Sequence, residues 1–128
     1  MSGRTILLVE DEILIRTVLA DVLREAGYHV TEACDGDEGL EILAAREFDL
    51  LLTDVKMPGS IDGLELAACW RQRFPGRPVL ISSAYVRADG LHLADGLLTK
   101  PFSDAELLAA VGQLIGLARQ IQSADMSF

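Results

Sequence analysis

Five short apolar runs, TILLV, HVTEA, LLLT, VLIS and LLT, recur along the chain, and the stretches between most of them carry apolar residues at helical spacing. Runs of this length rich in Leu, Ile and Val, bounded by turn residues, read as strands buried on both faces. The pattern predicts strands at Thr5–Val9, His29–Ala33, Leu50–Thr53, Val79–Ser82 and Leu97–Thr99. Helices are expected at Glu12–Ala26, Gly36–Arg46 and Leu64–Arg73, and from Ser103 to about Gln122. In the first helix Leu14, Val18, Val22 and Ala26 form an apolar stripe that Leu19 and Leu23 widen. Leu40, Leu43 and Ala44 are the inward set of the second. Gly27 is a plausible stop for the first helix, and Pro75 approaches the end of the third. Ser103 and Glu106 form a capping box before the last. KMPGSIDG reads as a loop from its Pro and Gly content. Tyr85–Asp95 has room for a short helix at best.

Strands alternating with helices imply right-handed crossovers and helices on both faces of one parallel sheet. The second strand is the most polar, which places it at or near an edge. The order 2-1-3-4-5 of flavodoxin-like doubly wound folds satisfies that condition and brings the ends of the first and third strands together. The expected fold is therefore an α/β, flavodoxin-like, five-stranded parallel sheet with a shortened or missing fourth helix.

Charge collects at the C-terminal strand ends. Glu10 and Asp11 follow TILLV, Asp54 follows LLLT, and Lys100 follows GLLT. Ligand crevices of open parallel sheets lie at these ends, so three carboxylates and an ammonium are expected to meet. Such a set suits a hard divalent cation and a phosphoryl group. The bland alternatives are an acidic first turn favoured by the helix dipole and a surface Asp at a strand end.

With 128 residues the chain is one domain by size. Its 20 acidic against 11 basic residues, net −9, exclude the basic stripe of a nucleic-acid surface. Cys34 and Cys69 have no CxxC spacing and read as two small semi-buried residues in a reducing compartment rather than a disulfide framework. No signal-peptide core and no membrane-length apolar run occurs, so a cytoplasmic location is expected.

LLVEDE, LLTDVKMPG, the Asp62–Gly63 pair, ISSA and TKPF, in this order, resemble a response-regulator receiver domain over essentially the whole chain. The resemblance implies a receiver at 1–122 with a short tail at 123–128. It implies that Asp54 is the phospho-acceptor, that Asp11 binds Mg²⁺ (or Mn²⁺) directly and Glu10 through a water, and that Asp54 and the Lys56 backbone carbonyl complete the metal's protein ligands. Lys100 then clamps the phosphoryl group and is followed, in this family, by a cis bond to Pro101. Ser83 is the switch hydroxyl, with Ser82 as its competitor. The implied partners are a histidine kinase or histidine phosphotransfer protein and a downstream protein target, with no direct nucleic-acid contact, no membrane insertion, and a monomer or weak dimer. On this reading the protein is a regulatory acceptor that catalyses its own phosphoryl transfer. The N-terminal Met and closing tail favour a stand-alone regulator.

Three departures from the chemotaxis type stand out. GSIDG carries one more residue before Asp62–Gly63. Only residues 84–99 separate Ser83 from Lys100, a shorter interval than usual. Leu97 stands where many receivers have a rotating aromatic, for which Tyr85 is a potential substitute. Lys56 is expected to prolong the phosphorylated state by shielding it from water, and faster hydrolysis in Lys56→Asn would bear this out. The rival readings are an aspartyl-phosphate phosphohydrolase of the haloacid-dehalogenase type, a pseudo-receiver that works without phosphorylation, and a nucleotide-binding domain. The first wants an acid where Lys56 stands. The last wants a Gly-rich phosphate loop that no strand here precedes.

Overall fold

The computed structural model describes residues 3–84 and 91–126. Its strands are β1 (Thr5–Val9), β2 (His29–Ala33), β3 (Leu50–Asp54), β4 (Val79–Ser83) and β5 (Gly96–Thr99), and its helices α1 (Ile13–Glu25), α2 (Gly36–Ala45), α3 (Gly63–Arg73) and α4 (Asp104–Met126). All neighbouring strands pair in parallel, in the order β2-β1-β3-β4-β5. The most polar strand is thus an edge, and β1 and β3 lie side by side.

Strict alternation of side chains sorts the core into two layers. Ile6, Leu8, Leu50, Leu52, Leu80 and Leu98 face α1 and α4, where Leu19, Ala20, Leu23, Leu107, Val111 and Ile115 meet them. Leu7, Val9, Leu51, Val79 and Ile81 face α2 and α3, closing on Leu43, Leu66, Ala67, Trp70 and Phe74. Both faces of the sheet are covered, which is why its central strands contain almost nothing polar.

Trp70 lies fully buried in the second layer. Its indole N–H donates to the Arg77 carbonyl at 3.0 Å, and it meets Phe74 edge to face with ring centroids 4.7 Å apart. Arg77 also donates to the Phe48 carbonyl. These partners precede β3 and β4, so Trp70 sits toward the N-terminal ends of the strands.

Several expectations are corrected. The buried side of α1 is formed by Leu19, Ala20 and Leu23, flanked by Ile15 and Val22, whereas Leu14 is 80% and Val18 56% exposed and Ala26 is also exposed. α1 is apolar over more than half its circumference, and the position of α4 selects which stripe is covered. Ala44 of α2 is exposed, and two buried glycines make that helix's close approaches instead, Gly36 to the Ile61 carbonyl of the loop after β3 and Gly39 to Val9 of β1 and Leu66 of α3. Cys34 is exposed and Cys69 partly buried, and both are free thiols. α4 continues past Gln122 to Met126. Its capping box is present, with the Glu106 N–H donating to Ser103 Oγ at 3.0 Å and the Ser103 N–H to Glu106 Oε1 at 3.2 Å.

Between β4 and β5 the described residues contain a 3₁₀ turn, Leu91–Leu93. Tyr85, and with it the substitute-aromatic expectation, lies outside the described residues. The far end of this connection is bracketed to α3. Arg71 donates to the Leu93 carbonyl and to Asp95, each at 2.8 Å, and the same Asp95 oxygen accepts from the Val79 N–H. Leu93, Ala94 and Leu97 pack on the α3-side layer.

Candidate functional site

β1, β3 and β5 end at the same edge, and their last residues converge there. Glu10, Asp11 and Asp54 each place a carboxylate oxygen within 4.8 Å of the others. Lys100 reaches across from β5: its Nζ donates to Asp54 Oδ2 at 2.9 Å and to Glu10 Oε1 at 3.2 Å.

Each group is fixed by its own strand end. Glu10 is 2% exposed. Its N–H donates to the Ala33 carbonyl of β2, its carbonyl accepts from Arg16 at 2.8 Å, and its Oε2 accepts from the Glu12 N–H at the start of α1. Glu10 thus ties the residue that opens α1 to the site, while α1 itself has no side-chain cap and no acid in its first turn. Arg16 is in turn held by Glu32, 3.3 Å away on β2. Asp54 Oδ1 accepts from the Val55 N–H at 2.7 Å. The Lys100 N–H donates to the Ser83 carbonyl at 2.8 Å, which continues the β4–β5 ladder to the site. The Lys100–Pro101 peptide bond is cis.

Gly63, the first residue of α3, packs against the backbone of β3 so closely that a Cβ there would collide with the Asp54 carbonyl oxygen. Its N–H donates to the Val55 carbonyl at 2.8 Å. Gly63→Ala is expected to displace the end of β3 at a cost of about 1–3 kcal/mol, as overpacking against backbone does, measured as a lowered urea midpoint.

Three carboxylates against one ammonium leave negative charge uncompensated. Burial dominates at Glu10 and pushes its carboxyl up, the hydrogen bond with Asp11 adds to this, and the Glu12 N–H and Lys100 oppose it. At Lys100 burial works against the ammonium, but the hydrogen bonds and charges of Asp54 and then Glu10 outweigh it, so the ammonium is held more firmly than usual. The cluster is therefore a place where cationic charge is wanted. Adjacent ligands of an octahedral Mg²⁺ stand about 3 Å apart and opposite ones about 4.2 Å, so three carboxylate oxygens within 4.8 Å of one another are of the right kind to hold such an ion, directly or through a water.

Of the remaining expected site residues, Lys56 has an exposed side chain at the start of the loop after β3, Ser83 is half-buried at the end of β4, and Ser82 is 3% exposed. Arg16, which grips the Glu10 carbonyl, was not legible in the sequence: its partners are a backbone oxygen and a residue on β2. Among the described residues no helix is long and apolar enough to cross a membrane.

The sequence profile of the response regulator receiver domain matches residues 6–112. The chain is 34% identical over 128 residues to the transcriptional regulatory protein PdtaR of Mycobacterium tuberculosis, a match covering 95% of this chain and 62% of that protein. It is 37% identical over 118 residues to the alkaline phosphatase synthesis transcriptional regulatory protein PhoP of Bacillus subtilis, covering 88% and 49%. The chain thus spans from about half to somewhat under two thirds of the length of these relatives. Among solved structures, the response regulator TrrA of Thermotoga maritima in complex with Mg(2+)-BeF superposes with a TM-score of 0.81 at 35% identity, covering 87% of this chain and 98% of that one. A CheY-like receiver domain protein from Methanospirillum hungatei does so with a TM-score of 0.87 at 26% identity, covering 93% and 98%.

Proposed function

The chain belongs to the response regulator receiver domain family, and from that premise we propose that it is a phospho-accepting switch with Asp54 as its acceptor. The observation that carries this reading is the approach of Lys100 to Asp54 and Glu10, at 2.9 and 3.2 Å, beside the three-carboxylate cluster. A carboxylate of Asp54 attacks the phosphorus of a donor phosphohistidine. The new P–O bond forms as the P–N bond breaks, and the imidazole nitrogen keeps the electron pair. Lys100 sits where it would meet the incoming phosphoryl oxygens as a point charge. Glu10, Asp11, Asp54 and the Lys56 carbonyl would hold Mg²⁺ or Mn²⁺, which when bound supplies charge neutralisation. Phosphorylation adds roughly one and a half to two negative charges. Ser83, at the end of β4 with its carbonyl accepting from the Lys100 N–H, is the reader of that change, and Lys56 shields the product from water. The receiver at 1–122 acts through protein contacts rather than as a metabolic enzyme. On incubation with acetyl phosphate and Mg²⁺, intact mass should rise by one phosphoryl group, and chelation by EDTA should prevent it. A mass unchanged under both conditions, with and without a cognate histidine kinase, would count against the reading.

The donor protein must reach this edge of the sheet, and an apolar patch lies on its rim. Ile13, Leu14 and Val18 are 64%, 80% and 56% exposed and follow Asp11 directly along the chain. Large apolar side chains grouped on a surface mark contact sites. Leu14→Glu is expected to slow labelling by the kinase or phosphotransfer protein about tenfold, the effect of losing one strong interface contact. Labelling by acetyl phosphate should stay unchanged, which separates docking from chemistry.

A further inference from the structure

The loop after β3 begins at the acceptor itself and holds the additional residue of the GSIDG stretch. Its base is closed by the Gly63 N–H to Val55 carbonyl bond. Its outer part is caught by a side chain from a different element. Asp37, in the first turn of α2, accepts from Ser60 twice: Oδ1 from the hydroxyl at 2.6 Å and Oδ2 from the backbone N–H at 3.1 Å. These two donations hold the Asp37 carboxyl below its usual range. Gly59 makes the approach feasible, since its φ is +102° and a Cβ there would stand 2.6 Å from Asp37 Oδ2. The turn that carries Asp37 is itself anchored. Asp35 caps α2 by accepting from the Glu38 N–H at 2.8 Å, and Glu38 accepts from the Cys34 N–H at 2.7 Å. Ile61 and Met57 of the loop pack on the α2–α3 layer.

We propose that Asp37 is a positioning residue for metal binding: by clasping Ser60 it restrains the lengthened loop that starts at Asp54 and carries the Lys56 backbone carbonyl. This inference rests on the phospho-acceptor reading. A loop with its additional residue unrestrained has more conformations to lose when a cation is bound. A bidentate carboxylate on a rigid helix start removes them beforehand, as groups that orient metal ligands do. Asp37 touches neither the ion nor the phosphoryl group, so its effect appears in the metal requirement rather than in the chemical step.

The test follows labelling by acetyl phosphate as Mg²⁺ is titrated, together with amide exchange of residues 59–61. Asp37→Ala should raise the Mg²⁺ concentration for half-maximal labelling about tenfold, the size of effect seen when groups behind metal ligands are removed. The rate at saturating Mg²⁺ should be preserved. The Ser60 amide should exchange about tenfold faster, as loss of one charge-assisted hydrogen bond implies. Ser60→Ala should shift the Mg²⁺ requirement less, the double variant no further than Asp37→Ala, and Ser60→Thr should behave as wild type. Gly59→Ala, which leaves the carboxylate in place but crowds it, should reproduce Asp37→Ala. Unchanged exchange in Asp37→Ala would show that the clasp does not exist. Faster exchange with an unchanged Mg²⁺ requirement would overturn the positioning role. Wild type that takes no phosphoryl group at any Mg²⁺ concentration would instead overturn the acceptor reading and the role built on it, while the exchange data would still report the clasp.

Discussion

Asp54→Asn is expected to abolish the phosphoryl mass gain from acetyl phosphate and from a kinase alike. An amide oxygen is a far weaker nucleophile than a carboxylate, and the two other acids of the cluster are held differently. Glu10 is buried and hydrogen-bonded to both Lys100 and the Glu12 N–H, and Asp11 lies on the exposed rim. The fold should survive the change. Asn keeps one oxygen, enough for the Val55 N–H or for Lys100 but not for both, and one of three crowded negative charges is removed. We expect stability within about 1 kcal/mol of wild type, since the lost ion pair is partly solvated. Intact mass beside a urea melt separates the two effects. Residual labelling near the wild-type level would assign the acceptor elsewhere.

Lys100→Met should produce the largest combined loss. Met fills much the same volume but leaves Glu10 without the ammonium 3.2 Å away. Removing one member of a buried pair costs about 3–5 kcal/mol. With Lys100 23% exposed, solvent screening lowers the expected cost to about 2 kcal/mol. The pH dependence has a definite sign. Folding raises the Glu10 carboxyl, so its contribution to stability is fullest below the ordinary Glu value and declines as pH rises through the raised one. Losing Lys100 removes an influence that lowers it. The gap between variant and wild type should therefore widen from acid to neutral pH, as urea midpoints at several pH values would show. Labelling should slow about a hundredfold, the effect of deleting one preorganised donor to developing charge. A rate within a few-fold of wild type would remove Lys100 from the phosphoryl site.

The strand order and the meeting of the charges were legible because both follow from short-range rules. Strands buried on both faces are continuous apolar runs, and a residue that ends such a strand lies at the crevice edge. The stripe of α1 was not legible, because Leu14 and Val18 continue the same apolar pattern as Leu19 and Leu23 and only the placement of α4 distinguishes them. The extent of α4 was underestimated because its polar last turns carry no apolar period. Contacts between distant side chains were invisible for a different reason. Asp37 with Ser60, Arg71 with Asp95, and Arg16 with Glu32 pair ordinary surface residue types, and nothing local to any of them announces its partner. The short β4–β5 interval was readable as leaving room for a short helix at best, but the Arg71 bracket that secures its end was not readable.

Trp70 is the chain's single tryptophan, and its setting decides what light can report. The indole is sealed among Phe74, Arg77 and the α2–α3 layer, toward the strand ends opposite Asp54. Its emission should shift sharply when the core opens to water and stay silent when a cation or phosphoryl group arrives. Intrinsic fluorescence is thus a clean gauge of unfolding for every variant above, whereas occupancy of the carboxylate cluster has to be followed by mass or by nuclear resonance.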